Sequence, residues 1–348
     1  MAAVIGQTRA THFLSGLIEK ERVPHALLLC GANGTGAAAV ALALARVLHC
    51  ENTNSVPCLH CVGCRKTAGL NHPDFSILFP FTSRIKEEAQ QITLRQLVED
   101  PYGYELPDDH ATIALEQIRG LQRQFAYGAY QGAWRTAVIM HAERMRPESS
   151  NALLKTLEEP PPQSLMILVT AHVEALLPTI VSRCQFLKLP PLLSEDIEQA
   201  LVDKGLDATM ARTVSRSCGG NFRLALEMQT GNLVESQDRA FHFLDALVWG
   251  ADGLTYAALE QLASDRQAVF DVIKHAEVWL RDALLLQAGM ETNVVHAQRI
   301  DDVRRLAEAF DVWRLSETIA QLESLREMNM RNVNLQLSLL SLWRSIRG

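Results

Sequence analysis

A mainly parallel, helix-covered α/β unit followed by a wholly helical region is the fold class that this 348-residue sequence predicts. Three observations carry it. Short apolar runs alternate with helix-period segments as far as residue 190, the pattern of a parallel sheet with helical crossovers. The first run ends in a glycine-rich turn that opens an almost entirely apolar helix. Beyond Pro190-Pro191 only helical spacing remains.

Taken in order, Gln7 to Glu21 sets Phe13, Leu14, Leu17 and Ile18 on one helical face, and His25 to Cys30 reads as a buried strand. Gly36 to Leu48 is nearly all Ala, Val and Leu, and a helix apolar on every side must be enclosed by other elements. Further strands are predicted at Phe75 to Phe79, Thr136 to Met140, Leu165 to Thr170 and Gln185 to Leu189, with helices at Glu116 to Phe125 and Ser149 to Glu159. Together these make a mainly parallel five-stranded sheet. Thr82 to His110 is polar and acidic and reads as a long surface insertion to which no structure is assigned. After Pro190-Pro191, Ser194 is the expected helix cap, with Glu195, Asp196 and Glu198 in the first turns. A small helical piece reaches about Thr230, where Gly231-Asn232 punctuates the chain. Phe241, Leu244 and Val248, and later Leu335, Leu339, Leu342 and Ile346, then keep helical spacing. The expected layout is an α/β domain over 1–190, a small helical domain over 191–231 and a larger one over 232–348.

Hydrophobic residues at 48% and charged residues at 21% are the proportions of a folding chain. Lys and Arg number 33 against 40 Asp and Glu, a net charge of −7 that excludes a surface given over wholly to nucleic acid while leaving room for a local basic strip. The sequence has no uninterrupted apolar stretch of membrane-spanning length, and Met1 to Gln7 lacks the features of a signal peptide. A cytoplasmic protein without membrane contact is expected.

Four of the seven cysteines, Cys50, Cys58, Cys61 and Cys64, follow C-x7-C-x2-C-x2-C, which brings four thiolates within reach of one tetrahedral zinc. A site closed by four sulfurs leaves no open position for an activated water, so a structural insert at 50–64 is expected. His49 and His60 are nearby spare ligands. Cys30, Cys184 and Cys218 read as small buried hydrophobes.

Gly31-Ala32-Asn33-Gly34-Thr35-Gly36-Ala37-Ala38 follows a strand, opens a helix and fits the G-x-x-x-x-G frame of a phosphate loop. Backbone N–H groups at a helix N-terminus suit an anion. The frame expects lysine at 37 and a hydroxyl at 38, and both positions are alanine. Losing one charge-assisted contact costs about 1.5–3 kcal/mol, roughly ten- to a hundredfold in affinity. The next strand ends in Met140-His141-Ala142-Glu143, without the metal-holding Asp and the water-activating Glu of an NTPase; Glu143 is at most a displaced base. ATP hydrolysis is therefore not expected, nor tight ATP binding. Read alone, Gly31, Gly34 and Gly36 equally fit a tight strand-to-helix turn.

Ser150-Asn151-Ala152-Leu153-Leu154-Lys155-Thr156-Leu157-Glu158-Glu159-Pro160-Pro161, followed by Pro178-Thr179-Ile180-Val181-Ser182-Arg183-Cys184-Gln185, resembles the bacterial clamp-loader branch of the AAA+ ATPases, subunits of DNA polymerase III. His25 with the leucines after it, the four-cysteine insert, Ala68-Gly69-Leu70-Asn71-His72-Pro73-Asp74 and Asn332-Val333-Asn334 are similar to the same family. The resemblance implies an AAA+ α/β domain, a helical lid and a helical collar that joins a ring of five subunits. It implies gamma/tau and delta as partners, with the sliding clamp and primer-template DNA met through the assembled complex. It also implies that Arg183, within Ser182-Arg183-Cys184, reaches the ATP site of a neighbouring subunit, where a guanidinium meets γ-phosphate charge. Lys155, Glu158 and Glu159 read as a solvated helix face, with Leu153, Leu154 and Leu157 turned to the core.

Three functions compete on these residues. A catalytically silent ring subunit accounts for every departure from the motifs. An active gamma/tau-like ATPase would need substituted motifs that still work. A zinc-dependent DNA-binding module is disfavoured because Glu51 to Lys66 offers only Arg65 and Lys66 as cations beside its histidines.

Overall fold

The computed structural model describes residues 4–52, 56–82, 85–104, 106, 111–126, 129–131, 133–230, 233–291, 294–329 and 334–347. The chain forms two compact units, Met1–Leu226 and Glu227–Gly348. In the first, α1 (Thr8–Glu19) leads into β1 (Ala26–Cys30), α2 (Ala37–Leu48) and the short α3 (Val62–Ala68). Then follow β2 (Phe75–Leu78), α4 (Glu87–Glu99), α5 (Leu115–Phe125), β3 (Arg135–Ile139), α6 (Pro147–Glu158), β4 (Ser164–Thr170), α7 (Pro178–Val181) and β5 (Gln185–Lys188). The five strands pair in the order β2-β3-β4-β1-β5, all parallel, with Leu28 opposite Leu168 on one side and Phe186 on the other.

Because side chains alternate along a strand, each strand feeds two cores. Leu27 and Leu29 of β1, Val138 of β3 and Ile167 of β4 pack with α1, α2 and the end of α4. Ala26 and Leu28, Ala137 and Ile139, and Met166 and Leu168 pack on the opposite face with α5 and α6. Every residue of α2 except Arg46 is buried, as an all-apolar helix requires.

Two expectations are corrected. The Thr82 to His110 stretch, assigned no structure, carries α4, whose Leu97 and Val98 are buried, followed by a buried Tyr102; Ser83, Arg84, Glu105 and residues 107–110 lie outside the described residues. Ser194 does not cap: α8 (Ser194–Asp203) starts on it without a side-chain cap bond, directly after Leu193. Asp207 does cap α9 (Ala208–Ser217), accepting from the Thr209 and Met210 N–H groups.

α10 (Phe222–Thr230) carries the boundary between the units, and Gly231-Asn232 lies outside the described residues. The second unit comprises α11 (Leu233–Trp249), α12 (Asp252–Ala263), α13 (Arg266–Gln287), α14 (Ile300–Ala309), α15 (Val312–Asn329) and α16 (Leu335–Arg347). Its core runs from Phe241, Leu244 and the fully buried Trp279 to Leu335, Leu339, Leu342 and Ile346, the C-terminal face expected from the spacing. Asn332 and Val333 lie outside the described residues. Among the described residues no helix is long and apolar enough to cross a membrane.

Candidate functional site

The loop after β1 has the shape of a phosphate cradle. The Gly31 N–H donates to the Thr170 carbonyl at 3.1 Å, and Gly34 and Gly36 adopt φ of 79° and 94°, where a side chain is strained. Thr35 turns inward, its hydroxyl donating to the Ala32 carbonyl at 2.7 Å, and Gln7 Nε2 ties the Thr35 carbonyl to that of Pro190 at 2.9 and 2.7 Å. Ala37 and Ala38 are buried in the first turn of α2.

The cradle is filled by the protein itself. Gly31, Gly34, Gly36, Ala37 and Ala38 line a cavity of only about 20 Å³, together with Tyr104, His141 and Thr170. That holds about one water, against the several hundred Å³ of a usual ligand cleft. Asn221 Oδ1 lies so near Gly34 that a Cβ there would stand 1.7 Å from it, and the Phe222 N–H donates to the Gly34 carbonyl at 3.0 Å.

Past the end of β3, His141 sits at φ 50° and joins two partners. Its Nε2 lies 3.1 Å from the Tyr104 hydroxyl, and its Nδ1 lies 3.3 Å from Glu143 Oε1. The Thr170 hydroxyl donates to Glu143 Oε2 at 2.6 Å. Burial pushes the Glu143 carboxyl up, but these hydrogen bonds outweigh it and leave the group below the ordinary carboxylate range. Glu143 is thus a satisfied, largely enclosed carboxylate. Tyr102, Tyr104, His141 and Asn221 were not singled out as site residues by sequence; two aromatic residues in Tyr102-Gly103-Tyr104, inside an otherwise polar, acidic stretch, are a signal that could have found the first two.

The four cysteine sulfurs of the insert converge, all within 4.8 Å of one another. A tetrahedron of ~2.3 Å zinc–sulfur bonds has edges of ~3.8 Å, so small adjustments close it on a metal. Backbone N–H groups already point at the thiols: Cys58 N–H to Cys50 Sγ, Cys61 N–H to Cys58 Sγ and Cys64 N–H to Cys61 Sγ, at 3.3 to 3.4 Å. Burial works against ionisation of Cys61, but these and neighbouring hydrogen bonds bring it down to about 6, while burial pushes Cys64 up to about 12. Gly63 lets α3 press on residue 49, since a Cβ there would stand 1.9 Å from the His49 carbonyl oxygen. His49 Nε2 bonds Thr136 at 2.7 Å and His60 Nδ1 bonds the Cys58 carbonyl at 2.7 Å, and the converging group comprises the four cysteines without either spare ligand. The cluster can hold one metal ion, zinc included. Of the other cysteines, Cys218 is buried, and Cys30 and Cys184 are half-buried.

Arg183 follows α7. Its Nη2 lies 2.7 Å from Glu158 Oε1 at the end of α6, and its Nη1 donates to the Thr179 carbonyl at 3.0 Å. The Arg183 side chain keeps 35% exposure and that of Glu158 51%. Ser182 is exposed, and burial pushes the Cys184 thiol up to about 12. Sequence reasoning gave Glu158 no part in this group.

The chain matches the family described as DNA polymerase III, delta subunit, over residues 6–193, and the C-terminal domain described for that subunit over residues 241–346. It is 27% identical over 339 residues to DNA polymerase III subunit delta' of Bacillus subtilis, spanning 95% of this chain and 93% of that protein. It is 30% identical over 279 residues to DNA polymerase III subunit gamma/tau of Mycobacterium tuberculosis, 78% of this chain and 43% of that one. Among solved structures, a gamma-subunit-related protein of Thermotoga maritima aligns with a TM-score of 0.46 at 14% identity, over 96% of this chain and 98% of that one.

Proposed function

The chain belongs to the DNA polymerase III delta-subunit family, and on that premise we propose that it is a delta-prime-type clamp-loader subunit that hydrolyses no ATP itself and lends Arg183 to the ATP site of a neighbouring subunit. Support comes from the contrast between its two candidate sites. The phosphate loop has Ala37 and Ala38 where charge and metal contacts belong, and its cavity is too small for a triphosphate. Arg183 instead sits at the surface, held by one exposed carboxylate and one carbonyl, both of which a phosphate can replace. This single observation carries the reading. Gamma/tau and delta subunits are the partners in a five-membered ring, which meets the sliding clamp and primer-template DNA as an assembly. Zinc in the four-cysteine site is structural, since a closed thiolate shell offers no catalytic position.

The test is the Arg183→Ala variant in a complex reconstituted with gamma/tau and delta. ATP hydrolysis and clamp loading fall while the subunits still copurify, and the isolated parent chain releases no phosphate from Mg-ATP. Unchanged loading by the variant, or turnover by the isolated chain, refutes the proposal.

A further inference from the structure

The turn after α4 links three parts of the first unit that the sequence keeps far apart. The Tyr102 hydroxyl accepts from the Ile5 N–H at 2.8 Å, and its ring meets Phe222 edge-on at 5.2 Å. The same hydroxyl rests on the phosphate loop, since a Cβ on Gly36 would stand 2.8 Å from it. Two residues on, the Tyr104 hydroxyl meets His141, its ring lies 6.0 Å from that of Phe79, and its carbonyl accepts from Arg223 Nη1 at 3.1 Å. The N-terminal segment, the loop and the start of α10 are therefore joined through one short turn.

The cavities show what the turn displaces. Pro101 and Tyr104 border the remnant of about 20 Å³ over the loop, whereas Pro101 and Tyr102 border a neighbouring cavity of about 540 Å³ beside α2 and α8. Room exists next to the loop, whereas over the loop itself Pro101 and Tyr104 help to leave space for about one water. A ligand reaching Gly34 and Gly36 must expel both aromatic rings from hydrogen-bonded, largely buried positions.

We infer that Tyr102 and Tyr104 form a built-in occupant of the phosphate loop: they exclude nucleotide, and they fasten the N-terminal segment, the loop and α10 together as a bound ligand otherwise would. The loss of nucleotide is then double, once through Ala37 and Ala38 and once through occupation. The ring role proposed above does not depend on this, because Arg183 serves another subunit's site.

The two causes separate by substitution in the full-length chain. Ala37→Lys with Ala38→Thr restores the motif chemistry but leaves the plug in place, and calorimetric titration with Mg-ADP detects no binding. Adding Tyr102→Ala and Tyr104→Ala opens the loop, and affinity for Mg-ADP rises at least roughly ten- to a hundredfold, the worth of a recovered charge-assisted contact. Equal binding by the two variants, or no binding by a quadruple variant with parental circular dichroism, overturns the inference. Should the quadruple variant fail to fold, acetylation of the unaltered chain by N-acetylimidazole, followed by peptide mass spectrometry, decides. Tyr130, 84% exposed, is acetylated while Tyr102 and Tyr104 are protected. Modification of those two at the rate of Tyr130 overturns the inference. Binding by the double variant leaves the Arg183 reading standing, and an inert Arg183→Ala leaves this one standing.

Discussion

Glu158→Gln is the substitution that separates the two fates open to Arg183. In the isolated chain the guanidinium bonds Glu158 at 2.7 Å, with both side chains substantially exposed. A pair this wet is worth about 0.2–1 kcal/mol, and its loss raises the share of unclamped arginine by about 1.4- to 5-fold. The contact with the Thr179 carbonyl survives the change. If Arg183 must leave Glu158 to act on a neighbour, the variant speeds that neighbour's hydrolysis by no more than the same factor. On the proposed trans role, Arg183→Ala by contrast removes an interaction worth about 10³–10⁵ at the site that it would serve. Total turnover then falls by the fraction that site carries. The assay is single-turnover hydrolysis and clamp loading by the reconstituted complex carrying each variant. Glu158→Gln depressing hydrolysis as deeply as Arg183→Ala would refute the resting-clamp account, since Glu158 would then be needed to position the arginine in the active ring.

Three further outcomes are expected. Asp74 has a fully buried side chain that accepts from the Tyr130 and Gln131 N–H groups at 2.7 Å and pairs with Arg135 at 2.8 Å; Asp74→Ala leaves a buried guanidinium without this partner and costs about 3–5 kcal/mol in urea unfolding, whereas a loss below about 1 kcal/mol would show that the residual contacts suffice. Cys64→Ser weakens metal retention, measured by mass spectrometry of the native protein during titration with a chelator, and lowers the unfolding temperature of the first unit; retention equal to that of the parent chain would show that the Cys64 thiol is not a ligand. His275 in the second unit is brought down to about 4 by burial, with Lys274, His296 and Arg239 adding to the effect. Its folded pKa lies below the unfolded value, so the neutral form stabilises the fold above about pH 6.5. That contribution, of order 3 kcal/mol, is lost as the pH falls from about 6.5 to about 4. His275→Gln flattens the second unit's acid unfolding curve over that window, and an unaltered curve would exclude this histidine as the cause.

The sheet was legible in the sequence because each strand is an apolar run bounded by turn residues, and the run fixes the strand to within two residues at either end. α2 was legible for a related reason, its composition leaving no face for water. α4 was not. Its sequence opens Glu87-Glu88-Ala89-Gln90-Gln91, and only Leu97 and Val98 near its end are buried, so the helical period is faint where it matters. The four cysteines were legible because their ligand geometry is local. The Arg183–Glu158 pair and the filling of the phosphate loop were not, since Glu158, Tyr102 and Asn221 reach their partners only through the tertiary fold.

The phosphate-loop glycines show how far a motif can be read. Gly34 must be glycine here because φ is +79° and because Asn221 occupies the space of its side chain; Gly36 must be glycine because φ is +94° and Tyr102 lies on it. Ala37 and Ala38 are buried in the first turn of α2 and bring neither charge nor hydroxyl to the loop. Packing alone therefore accounts for a frame that by its letters suggests a nucleotide. Packing does not account for Arg183 in the same way. Its guanidinium stays at the surface on two replaceable partners, and an exposed pair of that kind adds at most about 1 kcal/mol to the fold. Stability therefore leaves Arg183 free to exchange its partners, as the proposed role in a neighbouring subunit's site requires.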